Sequence, residues 1–156
     1  MFSKTTRLAI SAMTALSETH GTANPTLTAS QIAEVRDIPS PFVAKLMTTL
    51  SMRGLVNGTR GPGGGYSLAR SPRDISLLDI ASSFQRLHEP ECPLGRSHVC
   101  DSGTRCALHD PLHQLQETYN RFLAETTLAG FGPGAKVALT SASPRRARQP
   151  SRRKAT

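Results

Sequence analysis

Residues 60–66 read Arg-Gly-Pro-Gly-Gly-Gly-Tyr, and they lie between two short strand-like stretches, 55–60 and 66–70. A glycine-rich tip between two strands predicts a β-hairpin, because glycine accepts positive φ and lets the backbone approach another surface closely. Such a tip suits contact with a phosphate backbone or insertion into a minor groove. The alternative interpretation is a flexible hairpin turn.

Three helices are predicted before this hairpin. Apolar side chains at helical spacing define the first over residues 4–19. Thr28 and Gln31 fit a capping box that begins a short second helix, and Ser40 as N-cap with Pro41 begins a third, which Gly54 ends. The second and third helices form a helix-turn-helix, a unit that also occurs in proteins that never contact DNA. Together with the hairpin it predicts a winged helix that binds duplex DNA.

The charge distribution agrees with a nucleic-acid partner. The 156-residue chain has a formal charge of +8, with eight basic and four acidic residues in 1–76, five and seven in 77–139, and six and none in 140–156. Two basic ends around an acidic middle predict two surfaces that meet a polyanion. With 4% aromatic residues and no Trp, the chain lacks the stacking platform of a single-strand binder.

Two further helices are predicted after the hairpin. Ser76 and Asp79 fit a second capping box, and the helix that it begins extends to near residue 88, with an apolar face. A longer helix begins at Asp110 or in the preceding turn, and its apolar spacing suits a seam against a partner helix or packing on its own domain. The helix that begins at the second capping box has its apolar face at Leu78, Ile80, Ala81, Phe84 and Leu87.

Residues 140–156 are expected to form a disordered cationic tail.

Three cysteines lie between these two helices. Cys92 and Cys100 are separated by seven residues, Cys100 and Cys106 by five, and His109 follows three positions later. An odd number of clustered thiols argues against a disulfide framework, whereas three thiolates and one imidazole make a four-ligand metal site. Spacing alone leaves structural zinc and an iron-sulfur cluster as equal alternatives, and free sensor thiols would not need the histidine.

The glycine-rich wing after a helix-turn-helix, followed by Ile-Ser-Leu-Leu-Asp-Ile at 75–80, resembles the Rrf2 family of bacterial winged-helix transcription regulators. The resemblance covers about residues 1–132 and includes Thr-Thr-Leu at 126–128. It implies a homodimer through the long helix and an iron-sulfur cluster in the cysteine loop, with 2Fe-2S favoured and 4Fe-4S as the other form.

The resemblance also implies a ligand set. IscR-like members place a histidine three residues after the third cysteine, and His109 matches that position. The seven residues between Cys92 and Cys100 depart from the five of the family. NsrR-like members take a carboxylate from the first helix of the partner, but the comparable residue in this sequence is Arg7. The predicted metal ligands are Cys92, Cys100, Cys106 and His109. For the fourth position the sequence offers alternatives: His98, Glu91 and Asp101 lie nearby, and His88 or His113 can reach inward if the loop folds back.

The fold class that we predict is mainly α with a small β-hairpin, a winged helix-turn-helix followed by a long dimerization helix. Its parts are a DNA-binding domain over 1–76, a linking helix and cysteine-rich sensor loop over 77–110, a dimerization helix over 111–132 and a basic tail over 133–156. The residues predicted to contact DNA come from the helix starts and from the wing. They are Thr28, Ser40, Pro41, Lys45, Arg60, Gly61, Gly63 and Gly64.

We expect a repressor whose DNA affinity is switched by an iron-sulfur cluster that responds to redox state, nitric oxide or iron supply. The alternatives are a constitutive DNA-binding protein with structural zinc and a small electron carrier. No nucleophile elbow, phosphate-binding loop or suggestive carboxylate pair indicates an enzyme. The first 18 residues imitate a signal peptide, but Ser11 and Thr14 break the short apolar run, and no stretch approaches the length of a membrane span. A cytoplasmic protein without membrane contact is therefore expected.

Overall fold

The computed structural model describes residues 2–87 and 106–131. Within them the chain forms five α-helices, a two-stranded antiparallel sheet and two short 3-10 turns, which agrees with the predicted fold class. The helices are α1 (Lys4–Thr19), α2 (Ala29–Arg36), α3 (Ser40–Met52), α4 (Leu77–Ser82) and α5 (His109–Glu125). The strands are β1 (Val56–Thr59) and β2 (Gly65–Leu68), and the 3-10 turns are Pro72–Asp74 and Leu128–Phe131.

A single hydrophobic core joins α1, α2, α3, α4 and the C-terminal end of α5. It consists almost entirely of aliphatic side chains and methionine, because the chain has few aromatic residues. Each side chain contributes area that is removed from water, which is the main favourable term in folding. The largest fully buried side chains of this core are Met13, Leu16, Ile32, Val43, Leu46, Met47, Leu50, Leu55, Ile75, Ile80, Leu123 and Leu128.

Local hydrogen bonds explain where α2 begins. Thr28 accepts from the Gln31 backbone N–H, and the Gln31 side chain accepts from the Thr28 backbone N–H at 2.8 Å, which confirms the predicted capping box. The same reciprocal arrangement between Ser76 and Asp79 begins α4. These two caps join residues three apart, so the sequence alone identifies them.

The predicted start of α3 is wrong by one residue. Pro39 is the N-cap, and Ser40 is the first helical residue with no capping bond from its side chain. The Pro39 carbonyl accepts from the backbone N–H groups of Phe42 (2.9 Å) and Val43 (3.1 Å). Proline at 41 therefore occupies the second helical position, where its missing N–H has no helical partner to lose.

The helix α4 is much shorter than predicted, ending at Ser82 instead of near residue 88. The hydroxyls of Ser82 and Ser83 both donate to the Asp79 carbonyl, at 3.1 and 3.0 Å, and thereby compete with the helical hydrogen bonds. Leu87 lies beyond the helix and is nevertheless buried in the core.

The long helix α5 begins at His109, one residue before Asp110, and only its Leu123 is fully buried. Leu115 and Phe122 expose 66% and 53% of their surfaces. Backbone hydrogen bonds tie the chain after α5 to the segment before α4: Leu77 N–H donates to the Thr126 carbonyl and Leu128 N–H to the Ile75 carbonyl. The C-terminal end of α5 is thus attached to the core while much of its length is exposed.

Cys92, Cys100 and the predicted basic tail lie outside the described residues. None of the helices described in 2–87 and 106–131 combines the length and the apolar character that crossing a bilayer requires.

Candidate nucleic-acid interface

The helix α3 has one buried and one exposed face. Val43, Leu46, Met47 and Leu50 pack into the core, which turns the opposite side of the helix to solvent. This exposed face contains Pro41, Lys45, Thr48 and Met52, at spacings of three and four residues. Pro41 and Lys45 are among the DNA contacts predicted from the sequence, whereas Thr48 and Met52, which continue the same helical spacing, are not.

The stretch of sequence that contains α3 and the wing carries charge of one sign. Between Asp37 and Asp74 the chain contains no acidic residue and five basic ones. Within the described part of the chain, neither Lys45 nor Arg60 forms an ion pair, and both side chains are exposed. Their charges are consequently available to an external anion.

The wing is held from two sides. Its strands pair antiparallel with Val56 opposite Leu68 and Thr59 opposite Gly65. In addition, Leu27 N–H donates to the Tyr66 carbonyl at 2.9 Å, and Tyr66 N–H donates to the Leu27 carbonyl at 2.8 Å. The segment before α2 therefore acts as a third, very short strand, which sequence reasoning missed.

The glycines of the wing have two separate structural causes. Gly61 and Gly63 have φ of +101° and +75°, a region that residues with a Cβ rarely adopt. At Gly64 a Cβ would collide with the Thr59 backbone, and at Gly65 it would lie 2.8 Å from the Leu27 carbonyl oxygen. The glycine run is thus required by the wing's own geometry, independently of any approach to DNA.

An open cleft of about 530 Å³ separates the wing from α3 and the start of α2. Arg60 is the only charged side chain among its lining residues, and the others are small, polar or apolar. The cleft therefore has no negative charge that would repel a phosphate. Its lining consists of Thr28, Ala29, Thr48, Ser51, Met52, Gly58, Thr59, Arg60, Gly61, Gly64, Gly65 and Tyr66.

Most of the predicted DNA contacts lie on this one surface. Thr28, Arg60, Gly61 and Gly64 line the cleft, and Gly63 is exposed at the wing tip. Ser40 and Pro41 are at the start of α3, one turn from Lys45. The Thr28 hydroxyl oxygen accepts a capping bond, and its O–H is the group that can donate to an external acceptor such as a phosphate oxygen.

The predicted metal ligands are only partly within the described residues. Cys106 is half-buried and forms no disulfide, and its carbonyl accepts from the His109 backbone N–H at 3.0 Å. His109 is the first residue of α5. Within residues 2–87 and 106–131, no three His, Cys, Asp or Glu side chains lie close enough together to hold a metal ion. The four-ligand set with Cys92 and Cys100 stays a prediction.

Known proteins with similar sequences and structures identify the family of this chain. Residues 2–131 match the Rrf2 family, described as iron-dependent transcriptional regulators. A predicted HTH-type transcriptional regulator of Aquifex aeolicus is 37% identical over 100 residues, covering 63% of this chain and 69% of the relative. The regulator IscR of Photobacterium profundum is 33% identical over 100 residues, and the match covers 64% of this chain and 57% of the IscR chain. The solved structure of T. potens IscR superposes with a TM-score of 0.67 at 25% identity over 83% of each chain.

The fold is that of a winged-helix DNA-binding protein, and the family match identifies it as a transcriptional regulator, a class of proteins that are not enzymes. The chain belongs to the Rrf2 family, as the glycine-rich wing predicted.

Proposed function

We propose that this protein is a cytoplasmic, homodimeric repressor that changes its DNA affinity when its cysteine loop binds an iron-sulfur cluster. The DNA contacts would come from α3, from Thr28 and from the wing, and the switch from Cys92, Cys100, Cys106 and His109. One observation supports the switch: both ends of the cysteine loop connect to helices. The residues before the loop are hydrogen bonded to α1 and to α5, and the residue after it, Cys106, leads into α5.

The entrance to the cysteine loop is attached at two points. The Gln85 side-chain oxygen accepts from the Ser3 backbone N–H at 2.8 Å and from the Thr6 hydroxyl at 2.7 Å, at the start of α1. The Leu87 carbonyl accepts from the side-chain amides of Gln116 (2.9 Å) and Asn120 (3.2 Å), both on α5. A change in the loop's conformation therefore acts directly on two helices.

These two helices connect the loop to the DNA-binding surface. The exit of the loop, at Cys106, leads within three residues into α5. The buried face of α1 shares the core with Ile32 of α2 and Leu46 of α3. Since packed cores shift between discrete arrangements, cluster binding in the loop can favour one position of α3 over another.

The donors fit an iron-sulfur cluster chemically. Thiolates are the usual ligands of such clusters, and an imidazole can replace one of them. The match to iron-dependent regulators and the likeness to IscR support iron over the zinc alternative. When bound, the cluster supplies a centre that oxidants and nitric oxide can modify. The protein's task is to hold it with the four ligands and to respond to its loss.

The dimer is proposed from the exposed face of α5. Leu115 and Phe122, seven residues apart, lie on one side of a helix and are largely exposed. Two such helices crossing as symmetry mates would bury these side chains in a self-complementary contact. A dimer would also present two α3 helices to two half-sites of an operator.

The decisive experiment begins with protein purified without oxygen. Iron, sulfide and zinc are assayed, the absorption spectrum is recorded, and operator affinity is measured before and after removal of the cluster. Cys92→Ser, Cys100→Ser and Cys106→Ser should each abolish the cluster, because a poorly ionised hydroxyl replaces a thiolate. All three should share one altered DNA affinity while remaining folded and dimeric.

The matched control is His20→Ala, which removes an exposed imidazole at the end of α1. It should retain the cluster and the wild-type response. His109→Ala should reduce cluster stability less than the cysteine variants, because water or another histidine can take the vacant position. Zinc in place of iron, or cluster-free variants that bind the operator as the intact protein does, would overturn the switch.

A further inference from the structure

The first two turns of α5 bring two histidines together. His109 and His113 are four residues apart, so they lie on the same side of the helix. Their ring centroids are 4.4 Å apart, and the ring planes are tilted by 42°. In the sequence, His113 is one of several alternatives to His109 for the fourth ligand of the cluster.

This separation suits two imidazoles that bind one ion. Each nitrogen would lie about 2.1 Å from the metal, so the two nitrogens need to approach to about 3 Å. Adjacent rings with centroids 4.4 Å apart reach this separation by small rotations of their side chains. The same spacing of two histidines on one helix provides two of the zinc ligands in known metalloenzymes.

We propose that His109 and His113 form a bidentate site for a borderline divalent cation of the Zn²⁺, Ni²⁺ and Cu²⁺ class. Neutral imidazole is a preferred ligand of these ions, whereas Mg²⁺ and Mn²⁺ prefer oxygen ligands. No third His, Cys, Asp or Glu joins the pair among the described residues, and we propose the site with water in its remaining positions. Each of the two histidines supplies one nitrogen ligand to this site.

This site shares only His109 with the proposed cluster site, and His113 is the ligand whose substitution tests it. The cluster set includes Cys106 and His109 and does not need His113, whereas the cation site includes His109 and His113 and does not need any thiolate. The cation site stands whether or not the cluster is present. If both exist, a cation and the cluster compete for His109, which gives the regulator a second inorganic input.

The test is calorimetric titration of the cluster-free, full-length protein with Ni²⁺ at neutral pH, after its three cysteines have been alkylated so that no thiolate can bind. We expect one Ni²⁺ per chain. His109→Ala and His113→Ala should each weaken binding at least about tenfold, because a single imidazole loses the advantage of a second tethered ligand. Mn²⁺ should bind much more weakly than Ni²⁺.

His20→Ala, which removes an exposed histidine from α1, is the matched control and should leave the binding constant within about twofold of wild type. His113→Gln repeats the test with a polar side chain, and circular dichroism checks that helix content is unchanged in each variant. Wild-type Ni²⁺ affinity in both His113 variants would overturn the proposal, and so would an equal loss in His20→Ala. A failure of the iron-sulfur assays would not affect this result.

Discussion

The two functional helices of this protein differ in how they are buried. The 13-residue α3 buries four large apolar side chains, whereas the 17-residue α5 fully buries only Leu123 and leaves Leu115 and Phe122 mostly exposed. The position of α3 is consequently determined by the protein's own core. The exposed side of α5 has an apolar face that no described residue covers. The fold fixes the first helix, and the second is the one that we propose to pair with another copy of the chain.

The largest effect is expected from the buried face of α3. Leu50→Ala should lower the free energy of unfolding by about 2–5 kcal/mol, because it leaves a cavity in a tightly packed core. Leu115→Ala, the matched substitution on α5, should cost less than about 0.5 kcal/mol in the isolated subunit. Denaturant unfolding at low protein concentration measures both. Equal losses would contradict the contrast between the two helices.

The association of α5 is tested by charge. Leu115→Glu combined with Phe122→Glu should convert the dimer to a monomer, because carboxylates would be buried at the contact without partners. Sedimentation velocity reads the oligomeric state, and circular dichroism should show the wild-type helix content. A double variant that remains dimeric would place the interface elsewhere.

The next largest effect is expected in the wing, and it concerns the free energy of operator binding. Arg60→Ala should weaken operator binding by about 1–3 kcal/mol, because the side chain is exposed, forms no ion pair with the described residues and lines the cleft. Arg121→Ala removes an exposed arginine from α5 and serves as the control. Fluorescence anisotropy with operator and random duplexes gives both constants. Unchanged affinity in Arg60→Ala would remove the wing from the interface.

A smaller effect is expected at the cap of α2. Thr28→Ala should destabilise the fold by about 1 kcal/mol, since one backbone N–H loses its acceptor. Thr28→Ser keeps the capping oxygen and should behave as wild type in thermal unfolding. A loss of DNA affinity in Thr28→Ala that exceeds its loss of stability would add a direct contact with DNA.

The smallest change concerns the predicted basic tail. Removal of residues 140–156 takes away six basic residues. Each phosphate contact that they make contributes about 0.9 to the logarithmic salt slope. The truncated protein should bind operator and random DNA more weakly and with a flatter slope. An identical slope would show that these residues make no phosphate contact.

The features predicted correctly from the sequence depend on neighbouring residues. The capping boxes at Thr28 and Ser76 join residues three apart, and the glycine run defines the wing because positive φ is a local requirement. The fold class followed from these elements and from the family resemblance. The DNA-contact candidates on α3 and the wing come from the same local patterns and stay predictions.

The errors and omissions have two causes: hydrogen bonds from side chains that compete with those of the helix, and contacts between residues that are far apart in the sequence. The end of α4 was misplaced because two serine hydroxyls compete for the Asp79 carbonyl, which apolar spacing does not reveal. The pairing of Leu27 with Tyr66 joins residues 39 positions apart, and no local motif announces it. The attachment of Gln85 to Thr6 has the same character. Such contacts arise only when the chain has folded around its core.

The pairing of Leu27 with Tyr66 also has a kinetic consequence. Because β2 is hydrogen bonded on both sides in the free protein, the wing is already ordered when the regulator meets DNA. The conformational entropy of the wing is then lost during folding and not at the encounter. Association should therefore proceed without a slow ordering step, and the discrimination between operators should appear mainly in how long the complex survives.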